Sequence, residues 1–307
     1  MLAIQTNNLT KSFVSLTAVK GLNLEVRAGE IFGLVGPDAS GKTTTLRMLC
    51  GILPPDGGEA IVAGCNVRRE AEILKGKVGY LPQRFGLYRD LTVLENIHFY
   101  ADLYQVSKKS RMERIERLLQ FASLKPFGKR KAQDLSGGMK QKLGLICALI
   151  HTPQILFLDE PTTGVDPLSR RDFWVILYDL LKEGVTILFS TSYLDEAERC
   201  NRIGMIYQGE LFIADTPAAI KAQIEGTILE LRTENNQKSM RMLEGIESFQ
   251  GFVLSGDKIH VHVSDPQEGE RTIRDVLKAS QMPIFNLAVV RPSLEDAFVS
   301  IVRKKEK

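Results

Sequence analysis

The chain has 307 residues, with 40 Lys+Arg against 37 Asp+Glu, a net charge of +3, and 44% hydrophobic and 25% charged residues. So weak a basic excess argues against a protein built to neutralise nucleic-acid phosphates, and the composition excludes disorder as the dominant state. The longest apolar runs, 143–150 and 155–158, fall far short of the roughly 18–20 residues that cross a bilayer, so no membrane span is expected.

Met1 to Gln5 lacks the basic and apolar regions of a secretory signal. Cys50, Cys65, Cys147 and Cys200 form no C-x-x-C pair, so neither a zinc site nor a disulfide framework is suggested. Reduced, buried thiols in the cytoplasm are the expectation. Short apolar runs at 31–35, 78–81, 155–158, 185–189 and 203–207 read as buried strands. Between them, helix-period patterns occupy 111–122, 136–150 and 167–181. That alternation is the α/β signature.

After the first of these strands, Gly36-Pro37-Asp38-Ala39-Ser40-Gly41-Lys42-Thr43 matches G-x-x-x-x-G-K-[ST]. A helix is expected over 43–49, so the loop lies between strand and helix, as a phosphate cradle requires. Glycines let backbone N–H groups turn toward phosphate oxygens. The helix start adds positive charge. Lys42 is placed to reach β- and γ-phosphates and Thr43 to ligate Mg²⁺. Further on, the strand 155–158 runs into Asp159-Glu160, at the end of an α/β sheet where ligands bind. Asp159 is the candidate Mg²⁺ holder and Glu160 the candidate general base. Ser136-Gly137-Gly138 opens a helix, with Ser136 as N-cap, and makes a second phosphate-binding loop. One nucleotide does not need two such loops from one chain, so the second is expected to serve a nucleotide held by another subunit.

Beyond Gly226 the pattern changes. Strands are expected at 227–232, 249–254, 258–263 and 284–290, and helices at 237–243 and 268–279. That β-α-β-β-α-β order is ferredoxin-like. A last helix starts at Ser293, with Ser293 and Asp296 spaced as a capping box. The expected boundary lies between Pro217 and Gly226. His260 and His262 share a strand face and read as two solvated residues in preference to a metal pair. The basic tail from Arg303 reads as a frayed terminus, with weak anionic-lipid contact as the alternative.

Taken together, these motifs resemble the nucleotide-binding subunits of ABC transporters, nearest the ABC-2 type, drug-efflux-like branch. The resemblance implies a P-loop NTPase cassette over 1–220, with a helical subdomain about 84–150, and an accessory α+β domain over 226–307. In its terms Gly36, Ser40, Gly41, Lys42, Thr43 and Thr44 belong to the Walker A nucleotide site. Phe13 stands where an aromatic stacks on adenine, although by itself it reads more readily as an ordinary core aromatic. Gln83 is the Q-loop glutamine that senses γ-phosphate and Mg²⁺, and Ser136, Gly137 and Gly138 form the signature. Asp159 and Glu160 complete Walker B, and Asp166 lies in the D-loop. ATP and Mg²⁺ are implied, as is a head-to-tail dimer with two sandwiched ATP molecules. Also implied are transmembrane permease subunits, met by Phe85, Leu87, Tyr88, Leu91, Phe99 and Tyr100 if these are not core, and a peripheral place on the cytoplasmic face of the inner membrane. No nucleic-acid partner is expected.

One position departs from the family. The run Ser190-Thr191-Ser192-Tyr193-Leu194-Asp195-Glu196-Ala197-Glu198 has Ser192 where active members carry a switch histidine. A serine hydroxyl is shorter and cannot reproduce both contacts of that histidine. Only His98, His151, His260 and His262 exist elsewhere, and none is expected nearby. The expectation is a subunit that binds ATP, hydrolyses slowly at its own Walker site, and completes a competent site on a second ATPase subunit, a heterodimer being favoured over a homodimer. Tandem efflux ATPases with one half reading S-T-S-Y-L-D-E-A-E resemble this chain. The competing readings are a soluble ABC ATPase acting on ribosome or DNA, and a regulatory ATP binder with little hydrolysis.

Overall fold

The structure is a computed structural model that describes every residue except Phe85, Glu247 and Lys307, and the side chains of all but Lys304, Lys305 and Glu306 among the rest. It divides into two compact units, Met1–Ala214 and Asp215–Lys307.

In the first unit a six-stranded sheet has the spatial order Glu210–Asp215, Arg202–Tyr207, Ile31–Val35, Thr186–Thr191, Ile155–Asp159, Val78–Leu81. From Arg202–Tyr207 to Val78–Leu81 each neighbouring pair is parallel. Every residue of Ile31–Val35, Ile155–Asp159 and Thr186–Thr191 is buried. Strands covered on both faces need continuous apolar runs, which is why these segments were legible in the sequence. Asp159 ends its strand within the run of the sheet, one residue beyond the expected 155–158.

A second, largely antiparallel sheet comprises Leu2–Phe13, Leu16–Leu22, Glu25–Arg27, Gly57–Val62 and Cys65–Asn66. Its first strand alternates between buried and exposed residues, so one face only is covered. Ile4, Val26, Val62, Phe32, Phe157, Leu188 and Leu46 share one core, which joins this sheet to the parallel one and to the helix Lys42–Leu49. The helices Val93–Leu103, Lys108–Phe121 and Gly137–Leu149 follow in the middle of the unit. Thr92 and Glu95 cap the first of them reciprocally.

The second unit begins before the expected boundary, because the helix Pro217–Lys221 packs on the terminal helix Leu294–Glu306. Its four antiparallel strands lie in the order Phe249–Ser255, Lys258–Val263, Thr227–Thr233, Ile284–Val290. The helices Asn236–Leu243 and Pro266–Ala279 cover one face, where Leu229, Leu231, Ile259, Val261, Leu243, Ile273 and Leu277 form the core. On the other face the terminal helix brings Asp296 to His260 and His262. Both histidines are buried, at 8% and 5% exposure, so they are not the solvated pair read from the alternation. The alternation assigned their common face correctly but carried no information about the helix that covers it. Arg303 likewise lies within that helix and donates to the carbonyls of Gln250 and Phe252. The rest of the basic tail falls on side chains outside the described set.

Candidate functional site

The parallel strands end together at one edge, and the phosphate loop starts there. Gly36 accommodates no side chain, since a Cβ would run into the Ile206 carbonyl and lie 2.8 Å from Ser40 Oγ. Gly41 has φ 105°, and a Cβ there would strike the Ala18 carbonyl. Gly41 is also the N-cap of Lys42–Leu49 and supplies no side-chain cap, so the first N–H groups of the helix are left without one. Ser40 Oγ is buried and has no hydrogen-bond partner. A loop with an orphaned hydroxyl and uncapped helix N–H groups is suited to an anion.

Lys42 is 4% exposed and its ammonium is fully engaged. It donates to the carbonyls of Gly36 and Pro37 at 2.8 Å each, and lies 3.1 Å from Glu160 Oε1. Thr43 Oγ1 donates to Asp159 Oδ1 at 3.0 Å, across 116 residues of sequence. Asp159, itself buried, also accepts from Ser190 Oγ at 2.8 Å and from the Tyr80 hydroxyl at 3.2 Å. Burial, and then the Asp159 charge, push the Tyr80 phenol up, so it remains a donor. The same burial and charge raise the Cys50 thiol, which makes it an unreactive core residue.

Glu160 sits at φ 47°. Its N–H donates to the Ser190 carbonyl at 3.1 Å and to Ser190 Oγ at 3.0 Å. Its carboxylate accepts from Gln83 Nε2 at 3.1 Å and from Thr163 Oγ1 at 3.4 Å. Thus Lys42, Thr43, Gln83, Asp159 and Glu160 converge from three separate segments of the chain. Ser190, Tyr80 and Thr163 were not singled out in the sequence. For Ser190 the reason is plain: the expected strand, 185–189, stopped short of it, and its pairing opposite Asp159 exists only in the folded sheet.

Ser192 lies one residue past Thr191, whose carbonyl accepts from Gly36 N–H at 3.3 Å, so it belongs to the same sheet end. It is exposed. His151 is elsewhere: its Nε2 meets the carbonyl of Val78, the first residue of an edge strand, and its ring stacks on Tyr104. His98 lies within Val93–Leu103. Phe13 is 46% exposed at the end of its strand, with the Lys11 ammonium 5.7 Å from the ring centroid, so the core alternative does not hold. Thr44 is half-buried in the helix turn after Lys42 and Thr43.

Ser136 caps Gly137–Leu149, accepting from Met139 N–H at 3.3 Å. Gly138 is a steric requirement, because a Cβ there would lie 2.5 Å from the Ser169 side chain. The Gly164 carbonyl lies near Gly137. Asp166 caps Pro167–Lys182, and the hydrogen bond from Ser169 N–H holds its carboxyl below the usual range. The loops at Gly138 and Asp166 therefore meet through the start of one helix. Tyr88 and Phe99 are exposed and pack edge to face at 4.5 Å, with Phe99 also against Tyr100; Leu87, Leu91 and Tyr100 are half-buried. Phe85 lies outside the described residues. A cavity of about 270 Å³ lined by Arg114, Phe121, Pro153, Leu180 and Val185 opens at the other end of the strands, away from the phosphate loop.

A family profile described as "ABC transporter" matches residues 19–163. The chain is 42% identical over 303 residues to the "Probable multidrug ABC transporter ATP-binding protein YbhF" of Escherichia coli (strain K12), a match covering 97% of this chain and 52% of that protein. It thus spans about half the length of that relative. It is 31% identical to the "Linearmycin resistance ATP-binding protein LnrL" of Bacillus subtilis (strain 168), with 97% of each covered. It is 32% identical to the "Daunorubicin/doxorubicin resistance ATP-binding protein DrrA" of Streptomyces peucetius, covering 97% of this chain and 92% of that protein. Among solved structures, the dimeric bacterial ABC transporter cassette MJ0796 matches with a TM-score of 0.64 and 28% identity, over 69% of this chain and 98% of that one. A post-hydrolysis dimer of the same cassette, bound to ADP and Pi, matches with a TM-score of 0.64 and 27% identity.

Proposed function

The chain belongs to the ATP-binding proteins of ABC transporters, and from that premise we propose that it is the ATP-hydrolysing subunit of an ABC-2 type exporter of multidrug or other hydrophobic cargo. The observation that carries the reading is the convergence of Lys42, Thr43, Gln83, Asp159 and Glu160 at one sheet end. Export relatives with drug-resistance names support the cargo class.

On this reading the N–H groups of the loop from Gly36 to Thr44 and the Lys42 ammonium bind the β- and γ-phosphates. Lys42 then exchanges the Gly36 and Pro37 carbonyls for phosphate oxygens, and loosens its ion pair to Glu160. The hydroxyl of Thr43 and the carboxylate of Asp159, already 3.0 Å apart, would hold Mg²⁺, with Gln83 beside them. Bound there, Mg²⁺ would neutralise phosphate charge. Glu160, released from Lys42, takes the proton of the attacking water. Gln83 and Ser192 orient that water, and Phe13, exposed and unburdened by core packing, stacks on adenine.

Ser136, Gly137, Gly138 and Asp166 face a nucleotide held by a second ATPase subunit, a different chain being favoured over a second copy. Tyr88 and Phe99, in the stretch from 84 to 104, form the face for a transmembrane permease subunit. No helix among the described residues is long and apolar enough to cross a membrane, so attachment to the cytoplasmic face of the inner membrane runs through that subunit. All of these residues lie in the first unit, Met1–Ala214. Turnover of the purified chain, alone and with a second ATPase subunit, tests the proposal. Glu160→Gln should abolish turnover at this chain's own site, read in the chain alone, while keeping ATP binding, and Lys42→Ala should weaken binding itself. Brisk turnover of the chain alone, untouched by Ser192→Ala, would overturn the slow-site assignment.

A further inference from the structure

We propose that Glu196 is a positioning residue that locks the Ser192 loop to the loop after Glu160, so that both sides of the hydrolytic site hold one geometry. The inference rests on the ATPase reading above but concerns a residue outside its motifs. Glu196 lies in the short helix Leu194–Ala197, and its side chain is wholly buried. A carboxylate taken out of water is costly unless several donors surround it.

Three donors do. Thr162 Oγ1 donates to Oε1 at 2.5 Å, Thr191 Oγ1 donates to Oε2 at 2.8 Å, and Arg170 Nε lies 3.5 Å from Oε1. Each comes from a segment tied to the chemistry. Thr162 stands two residues after Glu160, and its neighbour Thr163 donates to the Glu160 carboxylate. Thr191 stands directly before Ser192, and its hydroxyl also accepts from Tyr193 N–H at 2.9 Å, which sets the turn around Ser192. Arg170 lies in the helix capped by Asp166, and its guanidinium covers the Tyr193 ring at 4.6 Å. One carboxylate therefore joins the Glu160 loop, the Ser192 loop and the helix that follows Asp166.

Burial of such a network is weak grounds for a purely stabilising role, because well-packed apolar residues often do as well. What the carboxylate adds is direction: both its oxygens are committed, so neither threonine can rotate or shift without losing a bond. A displacement of about 1 Å at a reacting group can cost on the order of a hundredfold in rate.

The test uses the full chain assembled with its partner subunits, with the partner ATPase's own catalytic glutamate replaced by glutamine so that turnover reports this chain's site, measuring kcat, KM for ATP, affinity for a fluorescent ATP analogue, and Tm. Glu196→Gln should lower kcat at least about tenfold, with KM and analogue affinity within about twofold, because Lys42 and Thr43 are untouched. Thr162→Val and Thr191→Val should each lower kcat, and each should cost little more when added to Glu196→Gln, since residues of one network do not act additively. The two threonine variants stand as the test if Glu196→Gln does not fold. Unchanged kcat in the glutamate and threonine variants, or losses of kcat and affinity together that track a falling Tm, would overturn the proposal. Turnover that Glu160→Gln abolishes and Glu196→Gln spares would overturn this inference alone. A wild-type assembly without turnover would overturn the ATPase reading and this inference with it.

Discussion

A glutamate at φ 47° is unfavourable for an L-residue by on the order of 1 kcal/mol, yet Glu160 is held there by four partners: Ser190, Lys42, Gln83 and Thr163. Strain of that kind persists where the surroundings over-determine a conformation, and it aims a side chain that relaxed backbone would turn away. The Asp159-Glu160 pair could be read from an apolar run ending in two acids. The backbone twist that sends one carboxylate to Thr43 and the other to Lys42 could not, because no residue type encodes it. Ser192 is the complementary case. Its identity was plain in the sequence, and its exposed place beside the Gly36 turn is what makes it matter. Replacing it with a residue that reaches further should restore a missing contact. Ser192→His is therefore expected to raise turnover at this chain's own site by roughly tenfold or more, measured in the assembled complex; no gain would assign the slow step elsewhere.

Among the elements, the terminal helix Leu294–Glu306 changes the meaning of the strand beneath it. Asp296 accepts from His260 Nδ1 at 3.0 Å and lies 3.5 Å from His262 Nε2, while Glu230 on the neighbouring strand lies 3.8 Å from His260 Nε2. The hydrogen bond to Asp296 raises His260, with Glu230 and Glu295 adding to it. Burial alone would raise Asp296, but hydrogen bonds from His260 and Ser293, with His262 close by, outweigh it and hold the carboxyl well below its usual range. A raised histidine stabilises the fold below its ordinary value of about 6.5, and that contribution is lost as pH rises through its folded value. A lowered carboxyl stabilises above its ordinary value of about 3.9, and that contribution is lost as pH falls through its folded value. The helix should thus be held most firmly between about pH 4 and 6.5. Hydrogen exchange of its amides, corrected for intrinsic rate, should be slower near pH 5.5 than near pH 8.5, and His260→Gln should remove the difference. Equal protection at the two pH values in the wild type would contradict the assignment.

At the scale of the whole molecule, the signature loop is the feature that points outward. Ser136 and Gly137 are exposed, and Gly138 fits against Ser169 only because it lacks a side chain. A loop exposed in this way fits the proposed contact with a second subunit, and the MJ0796 cassette that this chain resembles is dimeric. In a mixed dimer, Ser136→Arg should therefore depress hydrolysis at the partner's Walker site more than at this chain's own. Mutating Glu160 in one chain and the corresponding glutamate in the other would separate the two, and equal losses would argue against the arrangement.

Local patterns written in contiguous residues were legible in the sequence alone: the glycine-rich loop between strand and helix, the strand that ends in an acid pair, the Ser136 N-cap and the order of the small unit's elements. Loops and strand cores of this kind carry their physics in neighbouring side chains, so pattern suffices. The N-terminal antiparallel sheet was not legible, because its strands pair across distant segments and alternate with polar residues. Nor were the Lys42–Glu160 pair, the Glu196 lock or the buried His260–Asp296 contact. Each joins residues from separate elements, and the burial that makes such a contact strong exists only once the chain has folded.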